Sequence, residues 1–113
     1  AKVAKNYSKQ MAKEDFFGHF DDDGDSVVER AEKLKLKKWM KLGENLFFAE
    51  GFVSPTFMAV DGWLKSPGHK KNMLDDEWTH TGVGVYETRD KKTFFTQVFM
   101  TKGSPPERPS RLR

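Results

Sequence analysis

A chain of 113 residues suits one domain and a single hydrophobic core. It contains no cysteine, which excludes disulfides, thiolate nucleophiles and cysteine-ligated zinc, while ten Phe and three Trp point to a core rich in aromatic rings. The net charge of +3 resides in residues 102–113, so residues 1–101 are neutral, which argues against a nucleic-acid surface on the fold.

Residues 2–15 predict an amphipathic helix, with Val3, Tyr7 and Met11 on one side beside Ala4 and Ala12. Residues 16–25 predict a loop ending in an acidic turn. Ser26-Val27-Val28-Glu29 has the spacing of a capping box and predicts a helix to about Lys38, burying Val27 or Val28, Ala31 and Leu34. Leu46-Phe47-Phe48-Ala49 is too short an apolar run for periodicity to separate strand from helical turn. Ser54-Pro55 predicts a helix start, with Phe57, Val60, Trp63 and Leu64 as the buried stripe, and Ser66-Pro67 starts a short helix through Met73. Residues 80–88 and 93–101 predict a β-hairpin around Arg89-Asp90-Lys91-Lys92, and the Pro- and Arg-rich residues 102–113 predict a disordered tail.

No apolar run approaches the roughly 20 residues that span a bilayer, and no signal peptide is visible. The chain opens on Ala1 inside a helical pattern without a cap. We therefore expect upstream sequence that carries the targeting information.

Several motifs invite chemistry and fail on inspection. Asp21-Asp22-Asp23-Gly24-Asp25 resembles a calcium loop, but placing Gly24 at the sixth position puts His19 at the first and Arg30 at the twelfth, where carboxylates are required. Lys33, Lys35, Lys37, Lys38 and Lys41, around Trp39, read as a solvated helix end. His80 reads as an exposed or capping residue. His19, Glu44 and His69 have the composition of a two-histidine, one-carboxylate zinc site, although no local spacing brings them together.

The stretch Trp63-Leu64-Lys65-Ser66-Pro67-Gly68-His69-Lys70-Lys71-Asn72-Met73-Leu74 resembles a signature of bacterial CAP domains (cysteine-rich secretory proteins, antigen 5 and pathogenesis-related proteins; SCP-like extracellular proteins). Trp78-Thr79-His80-Thr81-Gly82-Val83-Gly84-Val85, Phe95-Thr96-Gln97-Val98-Phe99, Gly43-Glu44-Asn45-Leu46 and Phe17-Gly18-His19 resemble further family motifs in the same order. The resemblance covers about residues 1–101 as one domain. It implies an α+β fold, an α-β-α sandwich around a small antiparallel sheet, with the family's usual first helix absent. It also implies a cleft shared by His19, Glu44 and His69, with Asn72 and Ser66 beside it, and zinc or another divalent metal as the expected cofactor. Ser66 stands where many relatives carry a second glutamate.

Three functions follow as expectations. The first is a secreted or cell-surface binding module, bacterial by resemblance, engaging a protein or a small-molecule ligand. The second is a metal-dependent, peptidase-like hydrolase with Glu44 as the catalytic group. The third is a lipid or sterol binder using Phe47, Phe48, Phe52 and Phe57.

Overall fold

Apolar periodicity sets the first helix. In the computed structural model, which describes residues 1–51 and 54–103, α1 (Lys2–Glu14) buries Val3, Ala4, Tyr7, Ser8 and Met11 and exposes its lysines. It ends at Asp15, which adopts the left-handed conformation. The loop that follows tightens into the acidic turn, where the backbone amides of Asp23 and Asp25 donate to Asp21 Oδ1 at 3.0 and 2.9 Å.

Helix α2 (Val27–Lys33) opens on the expected capping box: Ser26 Oγ accepts from the Val28 amide, and Glu29 Oε1 accepts from the Ser26 amide at 2.7 Å. It stops well short of Lys38, a correction to the sequence reading. Lys35 turns left-handed, and the Leu36 amide donates back to the Ala31 carbonyl at 3.0 Å. That reversal packs Leu36 with Leu34 against the Val3, Ala4, Ala31 and Val98 cluster. Burying a second leucine outweighs continuing a lysine-rich helix into water.

Strand β1 (Trp39–Glu50) takes in the ambiguous Leu46–Ala49 run and extends it back to Trp39. Helices α3 (Pro55–Lys65) and α4 (Pro67–Leu74) start at the two Ser-Pro pairs, with proline in the first turn of each. Strands β2 (His80–Glu87) and β3 (Lys92–Lys102) form the expected hairpin. Strand β3 thus runs one residue into the segment assigned to the tail. Residues 104–113, which make up most of that segment, lie outside the described residues, as does Phe52.

The sheet is antiparallel in the order β1-β3-β2, so β3 is central and β1 is an edge. Side chains alternate between its faces. Leu46, Phe48, Phe94 and Val98 meet α1 and α2; Phe47 and Phe95 meet Ala59 and Trp63 of α3, and Met73 of α4. This is the expected α+β architecture, helices on both faces of a small sheet.

Two close approaches hold the layers. Gly84 of β2 lies under α1, where a Cβ would overlap the backbone of Ala4 and Lys5. Beside it the buried Ser8 Oγ donates to the Gly84 carbonyl at 2.8 Å and lies 2.8 Å from Thr96 Oγ1. On the other face, Trp63 Nε1 donates to the Leu46 carbonyl at 2.8 Å.

The stripe expected on α3 holds at one of its four positions. Trp63 is buried, but Phe57, Val60 and Leu64 are exposed, and Ala59 takes the inward position. Among the aromatics considered for lipid binding, Phe47 and Phe48 are half-buried and pack on the core.

Candidate functional site

Adjacent residues of a strand point to opposite faces, and the site is built around that rule. Glu44 and Asn45 sit side by side on edge strand β1. Glu44 turns to the α1–α2 layer and meets the His19 loop. Asn45 turns to the α3–α4 layer and meets His69. The two halves of the site therefore wrap the sheet edge.

On the first side, Glu44 is buried, and both carboxylate oxygens are engaged. His19 Nδ1 donates to Oε1 at 2.9 Å. Arg30 NH1 donates to Oε2 at 2.7 Å and NH2 to Oε1 at 3.3 Å, a two-pronged ion pair. Arg30 NH2 also donates to the His19 backbone carbonyl at 2.7 Å, so one guanidinium fixes both the carboxylate and the loop that carries the histidine. The guanidinium lies over the Tyr7 ring, 3.2 Å from its centroid. The Tyr7 hydroxyl donates to the Gly18 carbonyl.

On the second side, His69 Nδ1 lies 2.8 Å from Ser66 Oγ, three residues earlier on the same turn. Asn45 Nδ2 donates to the His69 carbonyl at 3.1 Å. Asn72 Nδ2 donates to Asn45 Oδ1 at 3.0 Å and, more weakly, to the Glu44 carbonyl at 3.4 Å. Trp78 Nε1 closes the ring of contacts by donating to the Asn72 carbonyl at 2.7 Å. Gly43 makes room for that indole, since a Cβ there would lie 2.9 Å from it.

Electrostatics join the halves. Partial burial, and then the nearby His19, hold the His69 imidazole below the ordinary histidine value of 6.5. The neutral ring is thus favoured at neutral pH. Tyr7 is pushed the other way, up to about 12, chiefly by burial. Because the folded state keeps this proton while an unfolded tyrosine loses it near 10, Tyr7 costs stability as pH rises between those values. Alkaline ultraviolet titration should show one phenol ionising near 12, and Tyr7→Phe should remove that step. A titration curve left unchanged by Tyr7→Phe would contradict the burial of this hydroxyl.

The residues predicted from sequence thus occupy one region, with His19 on Glu44, and with Ser66, His69 and Asn72 on the far side of the same strand. A three-ligand metal set is another matter. Among the described residues, no three His, Asp or Glu side chains are arranged to hold a metal ion. Arg30 engages both oxygens of Glu44. Two imidazoles remain, His19 with Nδ1 on a carboxylate oxygen and His69 with Nδ1 beside the Ser66 hydroxyl, and neither Nε2 has a hydrogen-bond partner among the described residues. A histidine that donates Nδ1–H to a carboxylate, as His19 does to Glu44, has the orientation usual for a metal ligand. His80 stays outside the site, exposed, with Nδ1 2.8 Å from Thr79 Oγ1.

Arg30, Tyr7 and Asn45 are site residues that the sequence reading did not single out. Arg30 had a signal. It shares the inward face of α2 with Val27 and Ala31, and a charge on an apolar face requires a buried partner.

Known proteins share this fold. The model of the cysteine-rich secretory protein (CAP) family matches residues 1–99. Two Bacillus subtilis proteins are similar over 102 residues: the membrane protein YlbC, 35% identical, and YkwD, 30% identical. Each alignment covers 90% of this chain but only 27% of YlbC and 37% of YkwD. An extracellular SCP-domain protein of Bacillus anthracis superposes with a TM-score of 0.75 at 36% identity, covering 90% of this chain and 31% of that one. An outer surface protein of Borrelia burgdorferi shares the fold, with a TM-score of 0.77 at 22% identity over 89% of this chain and 71% of its own. Among the described residues no helix is long and apolar enough to cross a membrane. Motif order, layer architecture and these matches converge: the chain belongs to the CAP, or cysteine-rich secretory protein, family.

Proposed function

We propose that this domain is a binding module working outside the cytoplasm, and that its cleft presents the Nε2 atoms of His19 and His69 to a ligand. The simplest such ligand is a divalent ion, with zinc the best match to paired imidazoles. The observation that carries this reading is the His19 Nδ1 contact with Glu44, which puts the proton on Nδ1 and leaves Nε2 to the ligand, with His69 Nδ1 held beside the Ser66 hydroxyl. The relatives described as extracellular and outer surface proteins support the location.

Binding is favoured over hydrolysis for a specific reason. The hydrolase reading gives the catalytic role to Glu44, and a carboxylate base must be free to accept a proton, whereas Glu44 is held by a guanidinium and an imidazole. Its role is to orient His19. Asn45, Asn72 and Trp78 hold the His69 turn against β1 without exposing a further acid or base. This chain spans a minority of the length of the curated relatives it matches.

The test is calorimetric titration of metal-stripped protein with zinc at about pH 7.5, above the ordinary histidine range. One-to-one binding is expected, and His19→Ala combined with His69→Ala should abolish it. Affinity should fall as pH drops below about 6.5, because ligation requires deprotonated rings. The same pH fall should erode stability: the unfolded His69 takes up its proton near 6.5, ahead of the folded one. A folded wild type that ignores zinc would sink the metal reading. Turnover of a peptide library, lost in Glu44→Gln, would overturn the assignment of binding over hydrolysis.

A further inference from the structure

A cavity of about 210 Å³ lies beside Arg30, between α1, α2 and the acidic turn. It belongs to neither histidine, and nothing in the proposed function uses it. Its polar wall includes Asn6, Gln10, Asp21, Asp23, Asp25 and Arg30. Val3, Tyr7 and Leu34 supply an apolar wall.

We propose that this cavity binds a neutral polyhydroxylated ligand the size of one sugar ring. Three observations lead there. First, Arg30 is 7% exposed, and its Nε has no hydrogen-bond partner, whereas NH1 and NH2 are taken by Glu44 and His19. A buried donor left unmet is costly, and Arg30 is part of the wall against which a ligand oxygen would sit.

Second, the charges on the wall oppose a simple ion of either sign. Arg30 and Lys33 disfavour a bare cation, and among the described residues no three acidic groups are placed to hold one. Asp21, Asp23 and Asp25 disfavour a bare anion. A hydroxyl both donates and accepts, so vicinal hydroxyls satisfy carboxylate and guanidinium together, and the Asn6 and Gln10 amides offer both functions.

Third, the acceptor is set in place beforehand. Asp21 is held by the amides of Asp23 and Asp25 and by Gln10 Nε2 at 3.3 Å, and those bonds keep its carboxyl below the usual carboxylate range, so it stays ionised. Val3 and Leu34 can take the C–H face of a ring. The volume falls below the roughly 300–1,000 Å³ typical of drug-sized ligands, which limits the occupant to about one ring.

The experiment is amide-resolved NMR titration of the intact chain with D-glucose, D-galactose, N-acetyl-D-glucosamine and myo-inositol. Each is taken to about 50 mM, well above a millimolar dissociation constant. At least one should shift the amides of Asn6, Gln10 and residues 21–25 saturably. The double variant Asn6→Leu, Gln10→Leu should lose the shifts, and so should the exposed-rim variant Asp23→Lys if the first fails to fold. The His19→Ala, His69→Ala protein should keep them, which separates this cavity from the histidine cleft. Absence of localised shifts with all four probes, or shifts that survive the cavity substitutions, overturns the proposal.

Discussion

Arg30→Ala is expected to cost about 3–5 kcal/mol, because it strands the buried Glu44 carboxylate without its partner. That is a large part of the roughly 5–15 kcal/mol that holds a domain of this kind folded. The loss compounds several contacts: two hydrogen bonds to the carboxylate, one to the His19 carbonyl and the stacking on Tyr7. Arg30→Lys should rescue only part, since a lysine cannot present the two-pronged geometry. Adding Glu44→Gln to Arg30→Ala should cost less than the sum of the single changes, because the stranded charge disappears. Urea denaturation of wild type, the two single variants and the double variant measures this directly. A cost below about 1 kcal/mol for Arg30→Ala would mean the pair is no more than a surface ion pair in energy.

Gly84→Ala should be comparably damaging despite adding a single methyl group. The new Cβ would collide with backbone atoms of Ala4 and Lys5, which cannot rotate aside as a side chain can. Relief requires lifting α1 from β2, breaking the Ser8 bridge to Gly84 and Thr96 and loosening Val3, Tyr7 and Met11. Overpacking usually costs about 1–3 kcal/mol, and an immovable neighbour places this site at or above the upper end. Gly62→Ala is the control. Its Cβ would lie 2.9 Å from Phe47 Cε1, on a half-buried ring that can shift. Equal unfolding midpoints for wild type and Gly84→Ala would contradict the close packing of α1 on β2.

These residues also mark how far the sequence could be read. Local signals carried the element order: the capping box at Ser26, the Ser-Pro helix starts and the polar turn of the hairpin act within a few residues. Tertiary balances did not. Helix α3 is apolar on two sides, and spacing alone could not choose Ala59 with Trp63 over Phe57, Val60 and Leu64 as the inward stripe. The chosen face is the one that meets Phe47 and Phe95 of the sheet, with Gly62 lying against the Phe47 ring. The early end of α2 likewise depends on where Leu36 finds its core neighbours. For the site, motif resemblance supplied His19, Glu44 and His69. The capture of Glu44 by Arg30 links residues from two elements, and no local pattern encodes it.

The division of the site across the sheet edge has a mechanical consequence. His19 belongs to a loop tied to one layer, and His69 to α4 on the other, a helix with no buried residue of its own. A ligand gripping both imidazoles would work as a clasp across the edge, locking α4 to the body of the protein. Occupancy should then slow hydrogen exchange of the α4 amides more than that of α1, whose stability comes from its own packed face.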